Sequence, residues 1–213
     1  TLKATPAGNG WRLSGTKRPV LEGMAAGLAI VAAKTATGLT LFIVNLAAKG
    51  LTRAPLDQID SRGAAVLTFE NTEVDGENVL GPVDGGAALL ERILDAARAG
   101  LAAEMLGAAQ QAYDTTVEYL KTRVQFGRLI GSFQSLQHRA AQMLGELELT
   151  RTAVESALTA LDENDPHAAQ LVSLAKALAS ETFNRVSSEM VQMHGGIGMT
   201  DEHDAGLYLK RAD

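Results

Sequence analysis

From Gly86 onward, apolar residues return every three or four positions, with no proline to interrupt them. Leu89, Leu90, Ile93, Leu94, Ala97, Leu101, Met105, Ala108, Ala109, Ala112, Val117 and Leu120 keep that spacing. It predicts one helix of roughly 50 Å, at about 1.5 Å per residue. Its alanine-rich face lets a neighbour approach closely. A second helix is expected from Phe133 to Leu161, with Leu136, Ala140, Met143, Leu144, Leu147 and Leu158 inward. Asp165-Pro166 reads as an N-cap with proline in the first turn. A third helix follows through Ala169, Leu171, Leu174, Ala175, Leu178, Phe183 and Val191, and Gly195-Gly196 ends it. With a shorter helix near Ala205 to Arg211, these make an up-down four-helix bundle spanning residues 85–213.

The first 84 residues carry a different period. Gly8-Asn-Gly10 before Trp11-Arg-Leu-Ser-Gly reads as a hairpin. Leu28-Ala-Ile-Val-Ala-Ala and Leu39-Thr-Leu-Phe-Ile-Val-Asn are apolar runs of buried-strand length, and Val66 to Val74 alternates like a half-exposed strand. Several short strands with no helix between them imply an antiparallel sandwich or barrel. The expected class is α+β, with a β-rich domain over 1–84 preceding the bundle.

Composition removes several functions. A net charge of -6 over 213 residues argues against nucleic acid, which needs a basic face. Aromatics, at 4%, are too few for base-stacking platforms. The absence of cysteine excludes disulfides and thiolate chemistry and fits a cytoplasmic setting. The four histidines lack metal-ligand spacing, so no metal is expected. No apolar run approaches membrane-spanning length. Thr1 is not a translation start, which suggests a fragment or a processed chain.

Two stretches concentrate polar groups that a helix turn does not need. In Arg123-Val-Gln-Phe-Gly-Arg-Leu-Ile-Gly-Ser-Phe-Gln-Ser-Leu-Gln-His138, Phe126-Gly127 breaks the helical run and Ser132 is placed to cap the next helix. Arg123 offers a fork for phosphate oxygens, and Gln125, Gln134 and Gln137 offer amides. In Gln192-Met-His-Gly-Gly-Ile-Gly198, Gly195 and Gly196 let backbone N–H groups approach an anion. The plainer alternative pairs Arg123 with Glu118 or Glu146 and leaves the glycines as helix stops.

Together these stretches resemble the two C-terminal signatures of the acyl-CoA dehydrogenase family: Arg-x-Gln-Phe-Gly followed by Phe-Gln-x-x-Gln-His, then Gln-x-His-Gly-Gly-x-Gly with a later Tyr-x-Lys-Arg, here Tyr208 to Arg211. The β-rich part is similar to the family's middle domain. The resemblance implies that Arg123, Gln125, Phe126 and Gln134 hold the adenine and pyrophosphate end of FAD, usually one bound mainly by the neighbouring subunit. It implies that Gln192, Met193, His194, Gly195 and Gly196 lie along the same dinucleotide, His194 as a positioning residue. The implied reaction, in lipid metabolism, is α,β-dehydrogenation of an acyl-CoA thioester, with hydride passing to flavin N5. The implied partners are an electron-transferring flavoprotein or similar acceptor, and a second subunit in a homodimer, tetramer or hetero-oligomer.

Two positions depart from the family. Pro19-Val-Leu-Glu22 stands where members carry a Trp-Ile-Thr-Asn-like stretch against the flavin. Ala97 precedes Arg98 where one group of members places its catalytic base, and the other base location would lie beyond Asp213. Glu104 and Glu202 read as structural carboxylates, so the catalytic residue is unknown. A non-catalytic partner subunit and a flavin-free helical interaction module are the rival readings.

Overall fold

Alternating apolar residues and glycine-bearing turns in the first part become strands, and the period change at Gly86 marks the start of the helices. The computed structural model describes residues 2–212. The chain divides into two compact units, Thr1–Leu94 and Asp95–Asp213, and the division falls within the first helix.

The first unit holds β1 (Lys3–Ala7), β2 (Gly10–Leu21), β3 (Leu28–Lys34), β4 (Leu39–Asn45), β5 (Leu51–Leu56), β6 (Ala64–Asp75) and β7 (Val79–Leu80). They form one seven-stranded sheet in the order β5-β6-β2-β1-β3-β4-β7. The expected hairpin at Gly8 joins β1 to β2, with Ala7 opposite Gly10. The sheet is mixed rather than wholly antiparallel. β1 and β3 run parallel at Lys3–Lys34, where the Lys34 N–H donates to the Leu2 carbonyl at 3.0 Å. Leu2, Leu13, Val31, Phe42, Val44, Leu67 and Phe69 share one core, and Trp11 meets Phe42 edge-on at 5.6 Å. β5 is a strand that its sequence does not announce. It is mostly exposed, contains Pro55 and lies at the sheet edge, where a missing N–H is tolerated.

The second unit carries most of α1 (Gly86–Thr122), then α2 (Gln134–Asp162), α3 (Ala168–His194) and α4 (Ala205–Ala212). These are the four helices expected, so the α+β class stands. Their buried stripes differ in detail from the expected ones. In α1 the buried line is Ala99, Ala102, Leu106, Ala109, Ala112, Thr116 and Leu120; Leu101 and Met105 flank it, and Ile93 and Ala97 are exposed. Alanine takes the line of closest approach and the bulkier residues fill its margins. Leu144, Leu158 and Leu174, expected inward, are exposed. α3 instead buries Val172, Ala175, Ala179, Phe183, Val186, Met190 and Met193.

Capping also departs from the sequence reading. Asp165 does not cap α3; its carboxylate accepts the His167 N–H at 2.6 Å and closes the turn before the helix. Ser132 does not cap α2 either. Its hydroxyl donates back to the Leu129 carbonyl at 2.7 Å, and Phe133 occupies the N-cap position. Both polar side chains satisfy a local turn before the helix can use them. Among the described residues, no helix is long and apolar enough to cross a membrane, and no cluster of histidines and acids could hold a metal ion.

Candidate dinucleotide site

The corner between α1 and α2 is a miniature hairpin. β8 (Val124–Gln125) pairs with β9 (Arg128–Leu129) around a two-residue turn, Phe126-Gly127, with φ of +55° and +76°. Positive φ at both turn positions is the type I′ pattern that matches strand twist. Glycine adopts it readily; phenylalanine does so at a cost. Phe126 is nonetheless 89% exposed, its ring edge-on to Phe133 at 6.0 Å. The Arg128 guanidinium sits over that Phe133 ring at 4.0 Å. Gln137 donates to the Gly131 carbonyl at 2.9 Å and so belongs to the turn.

Arg123, Gln125 and Gln134 are exposed around this hairpin. The plainer pairing of Arg123 fails. Glu118 binds Lys121 at 2.6 Å, Glu146 binds Arg185 at 2.6 Å, and Arg123 makes no ion pair among the described residues. An exposed guanidinium, amides and an outward aromatic ring are a suitable donor set for a phosphate joined to a flat base.

The second stretch ends α3. Gly195 (φ +64°) follows His194, and a short 3-10 turn runs from Gly195 to Met199. A Cβ added to Gly195 or Gly196 would meet nothing within 4 Å, so the backbone there faces open space. At Gly198 the opposite holds. A Cβ would lie 2.7 Å from the Val191 carbonyl and 3.0 Å from His194 Cβ, which demands glycine. Gln192 is exposed, whereas Met193 and His194 are buried. Their side chains pack inside the unit and offer a ligand no surface. The stretch therefore presents the Gln192 amide and the glycine backbone.

His194 ties the two stretches together. The Tyr119 hydroxyl donates to the His194 carbonyl at 3.3 Å, and the two rings stack at 4.3 Å. Tyr119 lies one helical turn before Arg123, whose N–H donates to the Tyr119 carbonyl at 2.9 Å. Both stretches thus sit at one end of the bundle within a single chain. The His203 ring lies against His194 at 4.2 Å between ring centres, tilted by 44°. His194 Nδ1 donates to the Met190 carbonyl at 2.7 Å, and its Nε2 is buried with no hydrogen-bond partner. Burial, the largest influence, lowers its pKa; the Met190 bond opposes that and His203 reinforces it. Tyr119 and His203 were missed as parts of the corner. Only Tyr119's one-turn spacing from Arg123 was readable as a clue.

For the dinucleotide end of FAD, the residues fit. For the flavin end they fit less well. Pro19, Leu21 and Glu22 are exposed, with Leu21 73% so, and positions 19–22 carry no hydroxyl or aromatic ring. Among the described residues, no catalytic carboxylate emerges either. Glu104 is bound by Arg211 at 2.7 Å, Arg98 holds Asp95 at 2.8 Å, and Glu202 is exposed in the connection between α3 and α4.

Known proteins agree with this architecture. The family described as acyl-CoA dehydrogenase, C-terminal domain, matches residues 84–213. The short/branched chain specific acyl-CoA dehydrogenase of Bos taurus is 33% identical over 218 residues, covering 99% of this chain and 50% of the relative. The solved butyryl-CoA dehydrogenase of Megasphaera elsdenii superposes with a TM-score of 0.92 at 32% identity, covering 100% of this chain and 57% of that one. A chain of the ChsE4-ChsE5 complex from Mycobacterium tuberculosis gives 0.90 at 30% identity, covering 99% and 56%. The chain thus spans about half the length of the relatives it matches. With both signature stretches folded onto one corner and a family match across the whole bundle, the chain belongs to the acyl-CoA dehydrogenase family.

Proposed function

We propose that the protein carrying this chain is an FAD-dependent acyl-CoA dehydrogenase that desaturates the α,β bond of an acyl-CoA thioester and passes electrons to a flavoprotein acceptor. One observation carries the reading. The Tyr119–His194 contact brings the exposed Arg123 corner and the open Gly195-Gly196 backbone to the same end of the bundle. Bound flavin would supply the hydride acceptor. This chain's own part is to hold the nucleotide tail. Arg123 neutralises a phosphate, Gln125, Gln134 and Gln192 hydrogen-bond uncharged parts, and Phe126 offers a face or edge to a flat ring. The family's usual arrangement, in which a neighbouring subunit contributes half of the site, makes a dimer or tetramer the working unit.

Arg123→Ala removes one charge-assisted contact, so FAD should dissociate about tenfold to a hundredfold more readily, for a loss of about 1.5–3 kcal/mol. Equilibrium dialysis of the full-length protein checks it. Unchanged affinity would refute the assignment of Arg123.

A second reading has its own support. Ala97 at one family base position, and Pro19 to Glu22 without a flavin-facing hydroxyl, suit a subunit that completes a partner's FAD site without catalysing. Full-length protein that bleaches its flavin with no acyl-CoA alone, but does so after mixing with a related subunit, would establish it.

A further inference from the structure

His203 lies outside both signature stretches, yet it closes the stack that joins them. Tyr119 from α1, His194 at the end of α3 and His203 from the α3–α4 connection lie ring on ring at 4.3 Å and 4.2 Å. Each histidine has one nitrogen that a second proton would disturb, although the bond from His194 Nδ1 to Met190 is itself open to either charge state. A carbonyl can only accept, so the bond to Met190 places the proton of His194 on Nδ1 and leaves a lone pair on buried Nε2. His203 Nδ1 accepts the N–H of Ala205, the first residue of α4, at 3.1 Å, so it too is unprotonated there.

We propose that His203 is a positioning residue, and that the His194–His203 pair is a pH-sensitive latch holding the Gly195–Gly198 bend against α1 while both rings are neutral. The proposal rests on the reading of that bend as part of the dinucleotide site.

Acid acts against the latch in three ways. A proton on His194 Nε2 creates a buried donor with no acceptor. A proton on His203 Nδ1 cancels the bond that caps α4. Two charged rings 4.2 Å apart repel where little water screens them. The titratable groups facing His194 are Tyr119 from α1 and His203 from the connection; α3 itself presents the Met190 carbonyl. On the segment of His203, Asp201, Glu202 and Asp204 are exposed. Among the described residues, no buried carboxylate therefore compensates the pair. Because the folded His194 binds its proton less readily than an ordinary imidazole, its contribution is present above 6.5 and is lost as pH falls below it.

The test uses the full-length protein at about pH 7.5 and about pH 5.5, either side of the ordinary imidazole value of ~6.5. Hydrogen exchange of residues 192–204, corrected for intrinsic chemistry, is measured on flavin-stripped protein. FAD release is followed separately by flavin fluorescence. In wild type, protection of the bend falls about tenfold at the lower pH, and FAD release quickens in step. His194→Phe, which keeps a ring between Tyr119 and His203 but does not titrate, flattens both dependences relative to its own value at pH 7.5, whereas His203→Phe, which keeps a ring against His194, holds the bend at pH 7.5 as wild type does. His203→Ala, which removes the ring, loosens the bend at both pH values. Exchange that is independent of pH in wild type, or just as dependent in His194→Phe, overturns the latch, and a bend as tight in His203→Ala as in wild type overturns the positioning role of His203. A pH-dependent bend in a protein that takes up no FAD at any pH would leave the latch standing and refute the cofactor reading.

Discussion

Phe126 is the residue that the local backbone would not choose. Its φ of +55° in a two-residue turn is the position where asparagine or glycine is ordinarily favoured, and its ring is left almost entirely in water. Phe126→Asn should therefore stabilise the folded chain by about 1 kcal/mol while weakening FAD retention. Thermal unfolding and dialysis read the two effects. FAD retention that is unchanged or improved would separate the ring from cofactor binding. Gly198 gives the opposite lesson, because Gly198→Ala forces a methyl group against the Val191 carbonyl and should cost about 1–3 kcal/mol of stability. At this scale the sequence named Arg123, Gln125, Gln134 and Gln192 as donors to a cofactor, and the structure leaves all four exposed. Met193 and His194 of the same stretch are buried, because a motif read along the chain does not say which of its members points inward.

Among the elements, helix existence was legible because α1, α2 and α3 are long and contain no internal proline, and because Gly195 and the Asp165-Pro166 step punctuate them. Which stripe is buried was less legible. The helices carry apolar residues on more than one face, and side-chain size alone favours leucines that the packing leaves outside. The contact between α2 and α3 has a polar centre, the buried Thr150–Thr182 hydroxyl pair at 2.8 Å. Thr150→Val leaves the Thr182 hydroxyl without that partner and should cost about 1–2 kcal/mol. The double change Thr150→Val with Thr182→Val should recover most of that loss. Additive losses in a double-mutant cycle would show that the two hydroxyls do not depend on each other. The β elements divide similarly. Apolar β3 and β4 announce themselves, whereas the parallel β1–β3 pairing and the proline-bearing edge strand β5 are tertiary choices with no local signal.

At the level of the molecule, family membership explains the order of a β-rich unit before a bundle, and the corner at the bundle end concentrates the groups suited to a nucleotide tail. If that tail belongs to the flavin of a neighbouring subunit, cofactor retention and assembly are linked. Diluting the full-length protein should release FAD over the same concentration range in which mass photometry records dissociation. Release from an intact oligomer, or retention by monomers, would break the link. The most direct measurement is the structure of the full-length assembly solved with FAD present. It should place the Arg123 guanidinium within ~3 Å of a diphosphate oxygen, with the Gly195-Gly196 backbone alongside the same dinucleotide. An assembly in which FAD is seated while Arg123 and the glycine bend both face bulk water would contradict the account.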